Sequence, residues 1–288
     1  MDDVIIVMIC KNESRYLREF IDYHLGLGFD RIIIADNNDV DGERYEELLA
    51  DYISQGKVQI FDLRGKQGMQ KIFYNTLANY GVTYKWAAFI DTDEFITFSE
   101  LGKKIFGNNI KNFLNSRDYV PAYKLNWRIY GDNGHILYED KPVIERFPEP
   151  LDEKVTFHYN FPENYHVKSI LRNDVRVNFT NNPHGINEEK NYYSPAGYPV
   201  HGGPFNEELE YMILYVRHYY TKSLQEWCEN KLGRSYADYL RSDKVDYYPL
   251  KDYFIYNKWN EEKQAFLDEH GYHYNRFDGV KPSAVTTD

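Results

Sequence analysis

Three carboxylates, Asp91, Asp93 and Glu94, stand within four positions at the end of the apolar run Trp86-Ala87-Ala88-Phe89-Ile90. Hard divalent cations such as Mg²⁺ and Mn²⁺ take oxygen ligands, commonly one or two carboxylates completed by substrate phosphates. An Asp-x-Asp at the carboxyl end of a strand suits that chemistry, because ligands of open α/β sheets bind beyond the carboxyl ends of the strands. The same residues would also make a solvated acidic turn, and a short motif alone does not separate the two readings. If the strand continues through the motif, Thr92 points to one side while Asp91 and Asp93 share the other.

The elements that must position these carboxylates follow an alternating pattern. A β-branched apolar run at 4–9 reads as a strand buried on both faces. After Lys11-Asn12-Glu13-Ser14 the spacing of Tyr16, Leu17, Phe20, Ile21 and His24 predicts a helix, closed by Gly26 and Gly28. Strands at 31–35 and 58–61, helices at 44–52 and 69–80, and the strand entering Asp91 complete a Rossmann-like half with a parallel sheet. Beyond Asp93 the alternation stops. Strands are expected at 122–130, 143–146, 168–171 and 212–219, then helices within 224–240 and 260–270. The organisation expected is a catalytic domain at 1–235, divided into a nucleotide-binding half (1–98) and an acceptor half (99–235), with a helical extension at 236–288 packed on it.

Composition narrows the function classes. The 288 residues include 28 Tyr and 17 Phe, with 42% hydrophobic residues, too many aromatics for a disordered chain. The formal net charge of −11 argues against a nucleic-acid surface, which needs a basic stripe to neutralise phosphates. Only Cys10 and Cys228 are present, so neither a disulfide framework nor a zinc-type cluster is expected. Met-Asp-Asp ahead of a short apolar strand lacks the features of a signal peptide, and no apolar segment is long enough to span a bilayer. The expected location is cytoplasmic, with a weak peripheral contact at the inner face of the membrane through the Tyr- and Lys-containing C-terminal region. Neither Gly-x-Gly-x-x-Gly nor a P-loop follows the first strand, which speaks against a dinucleotide dehydrogenase or P-loop NTPase.

An ordered series of landmarks goes further. Cys10-Lys11-Asn12-Glu13 is followed by Leu17, Glu19, Phe20, Tyr23, His24, Gly28 and Asp36-Asn37. Gln70 and Asn75, Trp86 with Ile90-Asp91-Thr92-Asp93-Glu94-Phe95, and Asn126-Trp127 with Gly131 and Gly134-His135 come next. Glu145-Arg146-Phe147, Lys168-Ser169-Ile170, His184-Gly185, and His218-Tyr219 with Lys222-Ser223 close the series. In this order the chain resembles the GT-A fold glycosyltransferases of the family 2-like and family 92-like (DUF23-type) group, over roughly residues 4 to 235.

The resemblance implies a Rossmann-like α/β fold with a mixed central sheet and C-terminal helices. It also implies a metal-dependent hexosyltransferase that uses a UDP-sugar donor and Mn²⁺ or Mg²⁺. Asp93 would bind metal directly, Asp91 would meet the metal or ribose, often through water, and His218 would be the third ligand with His184 as its rival. Lys222 would reach the phosphates. Asn12, Glu13 and Asp36 would meet the uracil edge, although Asp36 could instead cap its own turn. Gln70 and Lys71 would lie near the nucleotide or on the surface. Trp127 with His135, and also His184, would face the acceptor, an indole being a good platform for a sugar ring or an ordinary core residue. An inverting enzyme also needs a base within hydrogen-bond reach of the acceptor hydroxyl. Asp132, Glu163, Glu188, Glu189 and Glu207 are the candidates, with Glu188 or Glu189 preferred. Galactose is the first expected sugar because family 92-like relatives use it, ahead of N-acetylglucosamine and glucose. The acceptor would be a glycan or lipid-linked glycan in surface polysaccharide or lipopolysaccharide synthesis. A sugar-nucleotide nucleotidyltransferase and a catalytically inactive glycan-binding relative are the alternatives.

Overall fold

The computed structural model describes residues 3–81, 83–117, 119–152, 163–174, 178–179, 183–186, 192–206, 208–232 and 250–274. The chain opens with strand β1 (Val4–Cys10), whose pleat feeds two cores. Val4, Ile6 and Met8 enter one apolar cluster while Ile5 and Val7 enter another on the opposite face. Helix α1 (Ser14–Gly26) buries Tyr16, Leu17, Phe20, Ile21 and His24, the helical stripe read from the sequence. Gly28 follows at φ +100, where a Cβ would press on the Asn109 side chain at 3.1 Å, so the position favours glycine twice over.

Strands β2 (Arg31–Asp36), β3 (Val58–Asp62) and β4 (Trp86–Phe89) join β1 in a parallel sheet of order β3-β2-β1-β4. Short helices α2 (Tyr45–Leu48) and α3 (Ala50–Ser54) occupy the segment expected as one helix. Helix α4 (Gln70–Thr76) runs on into a π-helical turn at Leu77–Gly81. This alternation bears out the Rossmann-like half.

The sheet then changes direction. Strand β5 (Glu94–Phe98) starts directly after Asp93 and, with helices α5 (Glu100–Phe106) and α6 (Ile110–Asn115), was not anticipated. Strands β6 (Ala122–Ile129), β7 (Val167–Arg172) and β10 (Leu214–His218) extend the order to β4-β7-β6-β10-β5, and the short β8 (Tyr192–Tyr193) and β9 (Pro199–Val200) pair beside β6. β7 runs antiparallel to β4 and β6, while β10 runs parallel to β6 and antiparallel to β5. The expected mixed α/β sheet is therefore present.

One expected strand is a helix. Val143–Arg146 forms the single turn α7, because Glu19 accepts the Val143 N–H at 2.7 Å and Arg146 must turn inward. β-branched Val143 and Ile144 suggested a strand, but a buried ion pair decides the backbone. Arg146 meets the Glu226 carboxylate through two hydrogen bonds of 2.7 and 2.9 Å, with both side chains 1% exposed. Glu226 lies on α8 (Leu224–Glu226), which Ser223 caps reciprocally, and it also accepts the Tyr16 hydroxyl at 2.8 Å. α8 continues into a π-helical turn at Trp227–Lys231, while 233–240 of the expected helix lie outside the described residues. Helices α9 (Leu250–Tyr256) and α10 (Glu261–Glu269) form a third cluster with Trp227 through Tyr253, Phe266 and Leu267. No helix among the described residues is long and apolar enough to cross a membrane.

Arg146→Ala would strand the Glu226 carboxylate in the interior. Breaking a buried pair by removing one partner costs about 3–5 kcal/mol. Urea denaturation of this variant is expected to show a loss of that size, and an unchanged midpoint would mean that Glu226 is not held as a buried charge.

Candidate active site

Strand register assembles the site. Ser169 of β7 stands opposite Phe89 of β4, which brings Lys168 alongside the residues that follow β4. His218, the last residue of β10, is in register with Glu94, the first of β5, and the Tyr219 N–H donates to the Asp93 carbonyl at 2.8 Å. Asp91, Thr92 and Asp93 thus occupy the connection between two strands rather than continuing a pleat. The expectation that Asp91 and Asp93 share one face gives way to a different arrangement, in which each carboxylate has its own cation.

Asp91 accepts the Lys168 ammonium at 2.6 Å on one oxygen and the Gln70 amide at 3.0 Å on the other. Lys168 is 1% exposed and also lies 3.3 Å from the fully buried Glu94 carboxylate. Glu94 in turn accepts the Asp91 backbone N–H at 2.9 Å. Burial pushes the Glu94 carboxyl well above its ordinary range, against the pull of Lys168. For Lys168 burial opposes the charge, but Asp91 and Glu94 prevail and raise it.

Asp93 is held on the other side. One oxygen accepts Lys231 at 2.9 Å, and the other faces His218 Nε2 at 3.5 Å. Burial would raise this carboxyl, yet Lys231 and then His218 hold it well below the ordinary range. Burial lowers His218 despite the attraction of Asp93, so its ring is neutral, and its Nδ1 is buried with no partner among the described residues.

The donors fit a divalent cation in part. Two ligands each about 2.1 Å from one ion lie roughly 3–3.5 Å apart, the spacing of Asp93 Oδ1 and His218 Nε2. Oxygen with neutral imidazole suits Mn²⁺ or Mg²⁺. Asp91 is committed to Lys168, and among the described residues no group of three His, Cys, Asp or Glu side chains is gathered to hold a metal. An ion here would take its remaining ligands from phosphate and water.

Lys222 adds a further cation. It is a non-glycine residue at φ +54, lies 4.2 Å over the Tyr16 ring and has no hydrogen-bonding or ion-pair partner among the described residues. Its charge contributes to holding Asp93 ionised. Backbone strain of this kind tends to be kept where it aims a functional group.

The ends of β1 and β2 lie side by side, with Cys10 opposite Asp36. Asn12, at φ +57, donates its backbone N–H to the Asn38 side chain at 2.8 Å. Glu13 is buried, with its N–H on the Tyr45 hydroxyl at 3.1 Å. Asp36 caps its own turn by accepting the Asn38 N–H at 3.0 Å, and its second oxygen is buried without a partner among the described residues. Lys71 is half-buried beside Gln70.

On the acceptor side, Trp127 is packed rather than offered as an open platform. Its ring centroid lies 4.2 Å from that of His218, 4.7 Å from His184 and 4.8 Å from His166. His184 turns Nδ1 toward the Val167 carbonyl at 3.2 Å, and burial, then Lys168, lowers it well below the ordinary range. His135 stands apart, 3.3 Å from Glu139. Asp132 is buried against the C-terminal helices, held by Lys263 and by the Tyr253 hydroxyl at 2.5 Å. A carboxylate fixed in this way is an anchor, and the structure does not bring it to Asp93. Glu188, Glu189 and Glu207 lie outside the described residues.

Sequence reasoning gave Lys168, Lys231 and His166 no role. Lys168 carried a signal, being a lone cation in the apolar run 167–171, whereas Lys231 reaches Asp93 only through the tertiary fold.

The model for glycosyltransferase family 92 matches residues 8–247. This chain belongs to glycosyltransferase family 92. A family 92 protein of Oryza sativa subsp. japonica is 25% identical over 193 residues, 67% of this chain and 30% of that protein. This family 92 chain thus aligns with less than a third of its rice relative. Among solved structures, S. aureus TarS 1-349 in complex with UDP-GlcNAc gives a TM-score of 0.40 at 10% identity, covering 77% of this chain and 60% of that one. HddC from Yersinia pseudotuberculosis gives 0.32 at 11%, covering 59% and 77%. Overlaps this loose do not bear on what the family 92 chain binds.

Three buried histidines kept neutral link stability to pH. The folded value of His24 is lowered to about 3, with His184 and His218 also lowered, all by burial first. In the unfolded chain they titrate near 6.5, so stability is full above that value and is lost as the pH falls toward the folded values. The slope is about 1.4 kcal/mol per pH unit for each such histidine. Urea midpoints should therefore drop between pH 7.5 and 5.5, and a flat profile would mean that these rings are charged when folded.

Proposed function

We propose that this family 92 chain is a divalent-metal-dependent glycosyltransferase that moves a hexose, galactose first, from a UDP-sugar to a carbohydrate acceptor with inversion. The observation that carries the reading is the pairing of Asp93 with neutral His218, with the charge of Lys222 also acting on Asp93; Lys222 has no ion-pair partner within reach among the described residues. A diphosphate leaving group brings negative charge to this spot, and the chain meets it with Lys222 and with Lys231, which would shift from Asp93 as phosphate arrives. Mn²⁺ or Mg²⁺ held by Asp93 and His218 would neutralise the charge that develops on that group. Asp91, locked by Lys168 and Gln70, would present its exposed edge to ribose. Asn12, Glu13 and the unpaired oxygen of Asp36 would receive the uracil edge. A glycan or lipid-linked glycan of surface polysaccharide or lipopolysaccharide synthesis is the proposed acceptor, met at the cytoplasmic face of the membrane. Membership of a glycosyltransferase family favours this over nucleotidyl transfer.

A thermal-shift panel of UDP, GDP, CDP, ADP and UDP-sugars, each with Mn²⁺ and with EDTA, tests the reading, because a ligand that binds the folded state raises the melting temperature. Stabilisation by UDP compounds that EDTA abolishes is expected, with UDP-galactose leading the sugars. No response to any nucleotide would overturn the proposal, and a response indifferent to EDTA would remove the metal.

Two substitutions separate the ligands. Asp93→Asn should lower transfer at least about 100-fold, the cost of losing one transition-state contact, while leaving far-UV dichroism unchanged. His218→Ala should raise the Mn²⁺ concentration needed for half-maximal activity, and an unchanged Mn²⁺ requirement would remove His218 from the metal.

A further inference from the structure

An imidazole backed by a carboxylate packs on the same Trp127 indole as His218. His166 packs against the indole with rings nearly parallel, at 27°, and its ring centroid lies 4.4 Å from that of Phe205. Its backbone is fixed as firmly: its carbonyl accepts the Trp127 N–H at 2.9 Å, and the residue bridges to Phe205. Nδ1 lies 3.0 Å from the Glu163 carboxylate and 3.1 Å from the Glu163 carbonyl. Two acceptors at Nδ1 place the proton of a neutral ring there and leave Nε2 with its lone pair. Nε2 has no partner among the described residues, and the side chain is 17% exposed, against 12% for Glu163. The pair thus has the parts of an activated base, a ring with one free nitrogen oriented by a carboxylate on the other.

We propose that His166, oriented by Glu163, is the general base that deprotonates the acceptor. The inference rests on the transferase reading above. The acceptor hydroxyl gives its proton to His166 Nε2 as its oxygen bonds to the anomeric carbon. The bond from that carbon to the diphosphate breaks, and its electron pair leaves on UDP. Glu163 stabilises the imidazolium, which then releases the proton to solvent. His166 and His218 pack on the same Trp127 indole, with ring centroids 4.8 and 4.2 Å from it, so the base lies one side chain away from the residue proposed to meet the metal. Among the described residues, the other titratable groups around the ring are His184, 5.4 Å away between centroids, and Lys168 and His218, which reach the same indole. None of these is a carboxylate, so among them Glu163 is the anion held against the ring.

The test uses UDP release from UDP-galactose with Mn²⁺, water and a panel of free monosaccharides serving as acceptors. Losing a general base costs on the order of 100-fold or more. His166→Gln is expected to lower kcat by that factor while UDP still raises the melting temperature as in the wild type. Glu163→Gln removes the negative charge that favours the imidazolium, so the acidic limb of the kcat/KM profile should move to lower pH. If His166→Gln does not fold, the Glu163→Gln profile decides alone, and an unmoved limb overturns the proposal. Wild-type release that survives in folded His166→Gln also overturns it and leaves the transferase reading standing. A wild type that releases no UDP from any UDP-sugar overturns both.

Discussion

The site depends on one buried ammonium. Lys168 arrives on a strand that runs against its neighbours, and at 1% exposure it must be surrounded by compensating charge. Asp91 and Glu94 supply it. Two carboxylates around one lysine leave an excess of negative charge in a region of low dielectric, and the excess is relieved by pushing Glu94 toward its neutral form. The consequence is a division of labour within Asp-x-Asp. The first aspartate is tied to Lys168 of β7, and the second to Lys231 and His218.

That division gives the pocket its electrostatic character. Asp93 is kept ionised by Lys231 and His218 in a setting that would otherwise protonate it. Lys231 and Lys222 both bring positive charge to it, although the protein as a whole carries a formal charge of −11. An acidic protein can therefore hold a locally cationic spot, because local placement outweighs net charge at distances well under a Debye length. Trp127 packs against three imidazoles, His166, His184 and His218, and so joins the Asp93 pair to the other two histidines.

Much of this was legible in the sequence where one residue type and one local pattern suffice. The apolar runs of β1, β2 and β4, the stripe of α1 and the position of Asp91 and Asp93 after β4 could all be read directly, as could His218 at the end of β10. What failed depended on partners far along the chain. Val143–Arg146 has strand-like letters, yet Arg146 answers to Glu226, 80 positions away. Asp132 is one of several carboxylates that the sequence offers as a base, and only the fold shows that Lys263, 131 positions on, occupies it. Asp91 and Asp93 were taken to share a face because a strand was assumed to continue, whereas the chain turns there into β5. Lys231 and His166 have no distinctive neighbours in sequence, and their meaning comes from the strands and helices that carry them.

The anchoring of Asp132 bears on where this catalytic unit ends. The match to family 92 stops at residue 247, but the groups that satisfy Asp132, Tyr253 on α9 and Lys263 on α10, come after it. Asn257, in the same segment, accepts the Asp132 backbone N–H at 2.7 Å. The boundary drawn by family likeness is thus narrower than the boundary drawn by charge. A recombinant fragment cut at the former would keep every residue assigned to donor chemistry and yet expose a carboxylate and a peptide group that the intact chain seals. Helices α9 and α10 belong to the fold that seals Asp132, and any chimera or minimal version of the protein has to carry them along.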